Sequence, residues 1–193
     1  MSTAPAVRSA KPNQRVSALV GNRFGRWGVL VSLTQGYSEQ YTEENQIFYA
    51  QSAGGLEEFN NYDFRTNATR AQTGLVGNLG YQFSSNHRVA LENFYTHLGR
   101  DEARTYEGFN SDVDANVRNT RLYWIEEGLL SNNLSGDHFI QTAGNSSIDW
   151  RVTYSRADRD EPDLREALYH QEGNTFVLAD ESQSGFRMFN TLD

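Results

Sequence analysis

The pattern that most constrains this chain is a period-two alternation that returns three times. In Trp27-Gly28-Val29-Leu30-Val31-Ser32-Leu33-Thr34-Gln35-Gly36-Tyr37, residues Trp27, Val29, Val31 and Leu33 share one parity, and Gly28, Ser32, Thr34 and Gly36 are small or polar on the other. Successive side chains point to opposite faces in extended backbone, so the stretch reads as a strand with one apolar face. Arg15 to Gly21 is also strand-like and joins it through Asn22-Arg23-Phe24-Gly25-Arg26, which makes a hairpin. Leu75, Gly77, Leu79, Tyr81 and Phe83 repeat the pattern, followed by the turn Ser84-Ser85-Asn86-His87 and then Val89, Leu91 and Tyr95. A third hairpin runs from about Val117 to Gln141, turns at Ala143 to Ser147, and returns with Ile148, Trp150, Val152 and Tyr154 against Asp149, Arg151, Thr153 and Ser155.

The tight turns begin at Asn22, Ser84 and Ala143, at intervals of 62 and 59 residues. Between them fall charged, amide-rich connections, expected as wide loops at about Gln51 to Tyr62, Asn110 to Asn116 and Asp158 to Asn174. Short turns at one end and long polar loops at the other is the topology of an outer-membrane barrel. Proline stands only at 5, 12 and 162, so little interrupts strand pairing. A strand from Trp27 to Tyr49 would be ~70 Å long at ~3.3 Å per residue, where a globular strand has about 5 to 6 residues. From Trp27 to Tyr37 the rise, projected at a tilt of ~40°, is ~25 Å, the height of the apolar band between two aromatic girdles. Phe24, Trp27, Tyr81, Phe83 and Trp150 would form the lower girdle, and Tyr37, Tyr95 and Trp124 the upper. Asn93, Glu126 and Arg156 share the outward parity, and the two charges fit a bilayer only above that band.

Composition narrows the alternatives. An apolar fraction of 37% with 12% aromatic residues argues against disorder. A mean hydropathy of -0.69 and the lack of an apolar run near ~18 residues exclude a membrane helix, yet an alternating barrel strand averages to the same hydropathy. The net charge of -8 disfavours nucleic acid as a partner. The absence of cysteine removes disulfides and thiolate chemistry. Val16 to Val20 is too short for a signal-peptide core, so the chain is expected either to stay unexported or to begin part-way through a longer product.

The expected fold is therefore all-β, with long antiparallel up-and-down strands forming an incomplete part of a large transmembrane β-barrel. Residues 1–193 would supply about six or seven such strands, fewer than the ~8 of the smallest membrane barrels. The alternative is a soluble or surface-exposed β-rich binding or adhesion module, which would have to bury Val29, Val31, Leu33, Leu75, Leu79 and Val152.

Over about Arg121 to Tyr169 the residues Glu126-Glu127-Gly128-Leu129-Leu130, Leu134-Ser135-Gly136-Asp137-His138, Ile148 to Ala157 and Arg159-Asp160-Glu161-Pro162-Asp163-Leu164-Arg165-Glu166 resemble the barrel domain of TonB-dependent outer-membrane receptors. The resemblance implies a receptor segment for a scarce nutrient of the siderophore, cobalamin or oligosaccharide class, located in the outer membrane of a Gram-negative cell. It implies as partners the membrane lipid, the remaining barrel strands, a plug domain absent here, the inner-membrane TonB complex acting through that plug, and a small nutrient ligand. Such a receptor has about 22 strands. The chain departs from that family in lacking a plug, an energy-coupling box and an aromatic carboxyl terminus.

No catalytic site is expected, no metal site and no cofactor. The acidic segment Asp158, Asp160, Glu161 and Asp163 lacks the spacing of a calcium loop and is interleaved with Arg156, Arg159 and Arg165, so it reads as a solvated, ion-paired extracellular loop. An omptin-like rim site of Asp158, Asp160 and His170 is the weaker reading of the same region. His87, His97, His138 and His170 are separated by 10, 41 and 32 residues, and no pair is expected to be metal-spaced. The lumen-facing candidates are Arg88, Glu92, Asp149, Arg151, Thr153 and Ser155, which would line the wall toward a plug or substrate path.

Overall fold

The computed structural model describes residues 12–180 and 184–192. They form a single antiparallel sheet with no α-helix among them. The strands are β1 (Gln14–Phe24), β2 (Trp27–Ser52), β3 (Gly55–Ser84), β4 (His87–Asn110), β5 (Ala115–Ile140), β6 (Ser146–Glu172), β7 (Thr175–Leu178) and β8 (Gly185–Leu192). Each of β1 to β7 pairs with its sequence neighbour, an up-and-down order that leaves the sheet unclosed. β8 lies on the same edge of β6 as β7, pairing residues Arg159 to Ala167 where β7 pairs Tyr169 to Glu172.

The predicted hairpins appear at their predicted turns, and of the three predicted loops one appears, residues 111–114 within the span Asn110 to Asn116. β2 and β3 close on each other at Ser52 and Gly55, and β4 and β5 at Asn110 and Ala115. The polar segments Gln51 to Tyr62 and Asp158 to Asn174, expected as loops, are instead largely paired ends of very long strands. Amide and charged side chains hydrate strands that stand in water as readily as they hydrate loops, so composition alone does not separate the two. Pro162, which cannot donate to a ladder, sits where the register of β6 shifts against both β5 and β8. Two of the three tight turns use left-handed backbone: Gly25 at φ 58°, and Gly144 and Asn145 at φ 74° and 61°.

Both ends of the sheet step in one direction. Trp27 pairs with Tyr81, yet the next hairpin closes lower, at Ser84 and His87; His87 pairs with His138, and the hairpin after it closes lower again, at Ile140 and Ser146. At the opposite end, the β4–β5 closure lies below the β2–β3 closure in the same sense. A drift of ~4 residues over four strands, at ~3.3 Å per residue and ~4.8 Å per strand, corresponds to a strand tilt of ~35°. That is the range required of strands in a closing barrel.

Nothing among the described residues covers either face of the sheet. On β2, Trp27, Val29, Val31 and Leu33 are exposed while Gly28, Leu30, Ser32 and Thr34 are less so. An uncovered sheet exposes its convex side more than its concave side, so the sheet curls toward the face of Gly28 and Ser32, here called the inner face. Its buried residues lie there in the upper half, away from the tight turns: Tyr62, Ala68, Glu102, Val117, Asn119, Ile125 and Leu164.

Candidate functional site

The register places the apolar parity of every hairpin on one outer face. Val31 pairs with Val20 and Gly77, Leu79 with Val29 and Leu91, and Leu134 with Leu91 and Val152. The resulting band crosses β1 to β6 and is solvent-open: Val20 is 75% exposed, Val31 49% and Val152 63%. Burying that surface is worth ~25 cal/mol per Å², so a band this continuous is a large standing cost in water. No Asp, Glu, Lys or Arg falls on the outer face between Trp27 and Leu33 of β2 or at the positions paired with them across β3, β4 and β5.

Aromatic side chains bound the band. At the tight-turn end Phe24 pairs with Trp27, the Trp27 and Tyr81 rings lie 4.5 Å apart, and Tyr81 and Phe83 4.7 Å apart. Above, Tyr37, Tyr95 and Tyr154 mark β2, β4 and β6. Tyr95 is level with Leu33, four residues below Tyr37, and Tyr154 is level with Asn93, two residues below Tyr95. This line of tyrosines descends in the same sense as the hairpin ends, so it follows the tilt of the strands.

The outward polar residues find places in this scheme. Arg156 lies two residues above Tyr154, and Glu126 is paired with Gly99 and Asp160, above the level of Tyr95. Asn93 does fall inside the band, directly opposite Asn132, and its amide donates to the Gly77 carbonyl at 3.0 Å. A satisfied neutral amide costs far less in an apolar setting than a charge.

All six lumen-facing candidates share the inner face. Arg88 is paired with Asp137, Asp137 with Asp149, Ser135 with Arg151, Asn133 with Glu92 and Thr153, and Ser131 with Ser155. Asn133 donates to Glu92 at 2.9 Å and accepts from Thr153 at 3.1 Å, while the Ser131 and Ser155 hydroxyls are 3.0 Å apart. Arg88, Asp149 and Arg151 stand below this network and outside it. The inner face is mixed, since Leu30, Val76 and Phe94 interrupt its polar residues.

The acidic segment is placed differently from the expectation. Asp158, Asp160, Glu161 and Asp163 belong to β6, not to a loop, and they do not converge. Glu161 is on the inner side, 2.8 Å from the Tyr123 hydroxyl and 2.8 Å from Arg159, and both contacts hold its carboxyl below the usual range, the tyrosine foremost. Asp163 is bridged by Arg165 at 2.6 Å and Arg187 at 2.8 Å, which lower its carboxyl likewise. Asp158 lies over Gly128, where an added Cβ would come within 2.5 Å of its carboxylate. Among the described residues no group of three His, Asp or Glu side chains is arranged to hold a metal ion.

One pairing was missed from the sequence. His87 and His138 are direct cross-strand partners with Nδ1 atoms 3.2 Å apart, and Trp150 donates to His138 Nε2 at 3.0 Å. That donation leaves the His138 proton on Nδ1, facing His87. The separation of 51 residues concealed the contact because the register at the open end of a long hairpin has no local signal. The group closes the lower aromatic edge on β4, β5 and β6.

The upper half of the inner face carries a second cluster absent from the sequence reading. Phe64 and Tyr106 rings are 4.9 Å apart, Tyr62 and Tyr106 5.2 Å, and the Arg104 guanidinium sits 5.9 Å from the Phe64 ring. Burial raises the Tyr62 and Tyr106 hydroxyls above their ordinary pKa. Arginines are concentrated on the same surface: Arg70 lies opposite Arg100, and Arg104 opposite Arg121.

Neither known protein families nor curated protein sequences provide a match to this chain.

Proposed function

We propose that the sheet is part of the wall of a transmembrane β-barrel, with the band from Trp27 to Tyr37 in contact with lipid and the face of Arg88, Glu92, Thr153 and Ser155 lining the lumen. The observation that carries this reading is the uncovered apolar band, free of charge across β2 to β5 and edged by aromatic side chains along the slant of the strands. Trp27 to Tyr37 rises ~25 Å at a tilt of ~40°, matching the apolar band of outer-membrane barrels. In hydrocarbon every backbone group must be paired, and here the outer edge of β1 and the edge of β6 from Ser146 to Asp158 carry no partner strand among the described residues. Further strands on both edges therefore belong to the same reading.

By the resemblance over Arg121 to Tyr169, the barrel is that of a TonB-dependent receptor in a Gram-negative outer membrane, taking up a scarce nutrient with energy transmitted through its plug. Passage of solute, rather than catalysis, is then the task of the inner face.

The absence of cysteine permits a clean experiment. Single cysteines at 31, 79, 91 and 152 on the outer face, and at 32, 78, 92 and 153 on the inner face, are labelled with an environment-sensitive dye after reconstitution of the chain into phosphatidylcholine vesicles. The outer set is expected to report an apolar surrounding and quenching by brominated lipid, and the inner set an aqueous one. Equal water access in both sets, or burial of the outer set in a lipid-free, water-soluble protein, overturns the proposal.

A further inference from the structure

We propose that the upper inner wall binds a small polyanionic solute, bearing carboxylate or phosphate groups, at the arginine quartet Arg70, Arg100, Arg104 and Arg121. This rests on reading the inner face as a lumen wall and adds the class of solute that wall would take.

Three observations lead there. Arg70 stands directly opposite Arg100 and Arg104 directly opposite Arg121, and Arg100 and Arg104 share the inner face of β4. Like charges directly opposite on paired strands repel, and two such pairs, four residues apart along β4 with Glu102 between them, each carry that cost. Anions between them would reverse its sign.

The carboxylates nearby do not supply that balance. Glu102 is engaged by Arg100, and Glu166, the cross-strand neighbour of Arg121, accepts instead from Asn119 at 2.9 Å. Arg159, further down the same face, takes both Glu127 at 3.2 Å and Glu161 at 2.8 Å. Among the described residues Arg70, Arg104 and Arg121 have no carboxylate within ion-pair distance, and Arg121 lies over the Tyr123 ring at 4.8 Å.

The orphaned atoms point the same way. The Nε atoms of Arg100, Arg104 and Arg121 are shut off from solvent and have no acceptor. A shielded donor without a partner calls for an ion or a water, and three of them from one face of two adjacent strands define one locus. Guanidinium forks match the planar oxygens of carboxylate and phosphate, two bonds at a time. At the Arg70 end of the quartet, an open recess of about 340 Å³ is lined by Arg70, Arg15, Thr34, Ser38, Gln72 and Leu98, and by none of the other three arginines. Its volume is that of a small-molecule site, and its hydroxyl and amide groups suit the body of an oxygen-rich solute.

The test is calorimetric titration of the full chain, in the same vesicle or detergent preparation used for cysteine labelling, with citrate and separately with pyrophosphate at ~0.15 M salt, where loose surface attraction is screened. The expected result is saturable binding of at least one of them, weakened tenfold or more in R104Q and in R121Q and unchanged in R65Q, whose arginine lies on the outer face. Binding of citrate alone identifies a carboxylate site, and of pyrophosphate alone a phosphate site. R121K, which keeps the charge and loses the fork, is expected to fall between wild type and R121Q. Circular dichroism melts control for folding: removing one of two facing cations is expected to hold or raise the midpoint, while binding is lost. Absence of binding for both probes, or equal binding by wild type and the R104Q/R121Q double variant, overturns the anion site. A chain that keeps the alternating label pattern but binds neither probe sinks this site alone, whereas loss of that pattern sinks the lumen-wall reading whichever way the titration goes.

Discussion

The two halves of this sheet are built from the same strands and the same ladders, yet they are inverted with respect to their side chains. In the lower half the outer face is apolar and uncharged, with Val20, Val31, Leu75, Leu79, Leu134 and Val152 open to the surroundings. In the upper half the outer face carries Glu43, Arg65, Asp101, Glu107, Arg118 and Asp163, and the buried groups are inside, around Tyr62, Glu102, Val117 and Asn119. Backbone pairing is indifferent to this change, so the difference lies in what each half is designed to face. On the proposed barrel reading, a single strand such as β2 crosses from one medium to another along its length, and the tyrosines at 37, 95 and 154 mark the crossing.

The largest effect that separates the halves is the placing of a charge. Val31→Arg puts a guanidinium on the outer face within the band, level with Gly77 and Asn93. With lipid there, it is expected to cost ~2 to 4 kcal/mol. Thr69→Arg puts the same side chain on the same face above the band, level with Glu39 and Asp101, where little or no cost is expected. Denaturant unfolding from vesicles measures both. Equal destabilisation would show that the two halves of the outer face meet the same medium, and the comparison would collapse.

A smaller contrast is steric. At Gly108 on β4 an added Cβ would overlap the Asn61 carbonyl and approach the Tyr62 Cα to 3.0 Å, so Gly108→Ala must displace β3 where its bulge begins. At Gly77, within the band, nothing lies within 4 Å of the added carbon. The first is expected to lose ~1 to 3 kcal/mol, as overpacking does, and the second to be neutral or slightly stabilising because alanine has less backbone entropy to lose. Hydrogen exchange at the Asn61–Phe109 pair would locate the loss, and a Gly77→Ala variant as damaged as Gly108→Ala would refute the packing asymmetry.

How far such features could be read in advance differs by range. Alternation is local, so the strands around Trp27, Leu79 and Val152, their turns and their outward parity were legible, and so was the inner-face assignment of Arg88, Glu92, Asp149, Arg151, Thr153 and Ser155. Polar composition misled where strands leave the apolar band: Asp158 to Asp163 were read as a loop because they are hydrated, and hydration says nothing of pairing. Pairings far from the turns of long hairpins were invisible. His87 meets His138 across β4 and β5, and Arg70 faces Arg100 across β3 and β4, only through a register fixed by the sum of many contacts rather than by any short motif.

The smallest expected difference between the halves is in their response to acid. Asp163, lowered by Arg165 and then by Arg187, and Glu161, lowered by Tyr123 and then by Arg159, both belong to the upper half of β6, and Asp163 also ties β8 to it. A carboxyl with a depressed folded-state pKa contributes stability that is fully present above its unfolded value and is lost as the pH falls through the folded one. Acidification from neutral to below the usual carboxylate range, ~4, is therefore expected to loosen β8 from β6 first, while the uncharged band keeps its pairing. Because these ion pairs are solvent-exposed, the effect should be modest and should shrink at high salt. The readout is exchange of the Phe186 and Met188 amides on β8 against those of Val29 and Val31 on β2, as a function of pH. Asp163→Asn should remove most of the pH dependence at β8 and leave β2 untouched, whereas an acid response of equal size in both places would mean that the carboxylates of β6 do not set it.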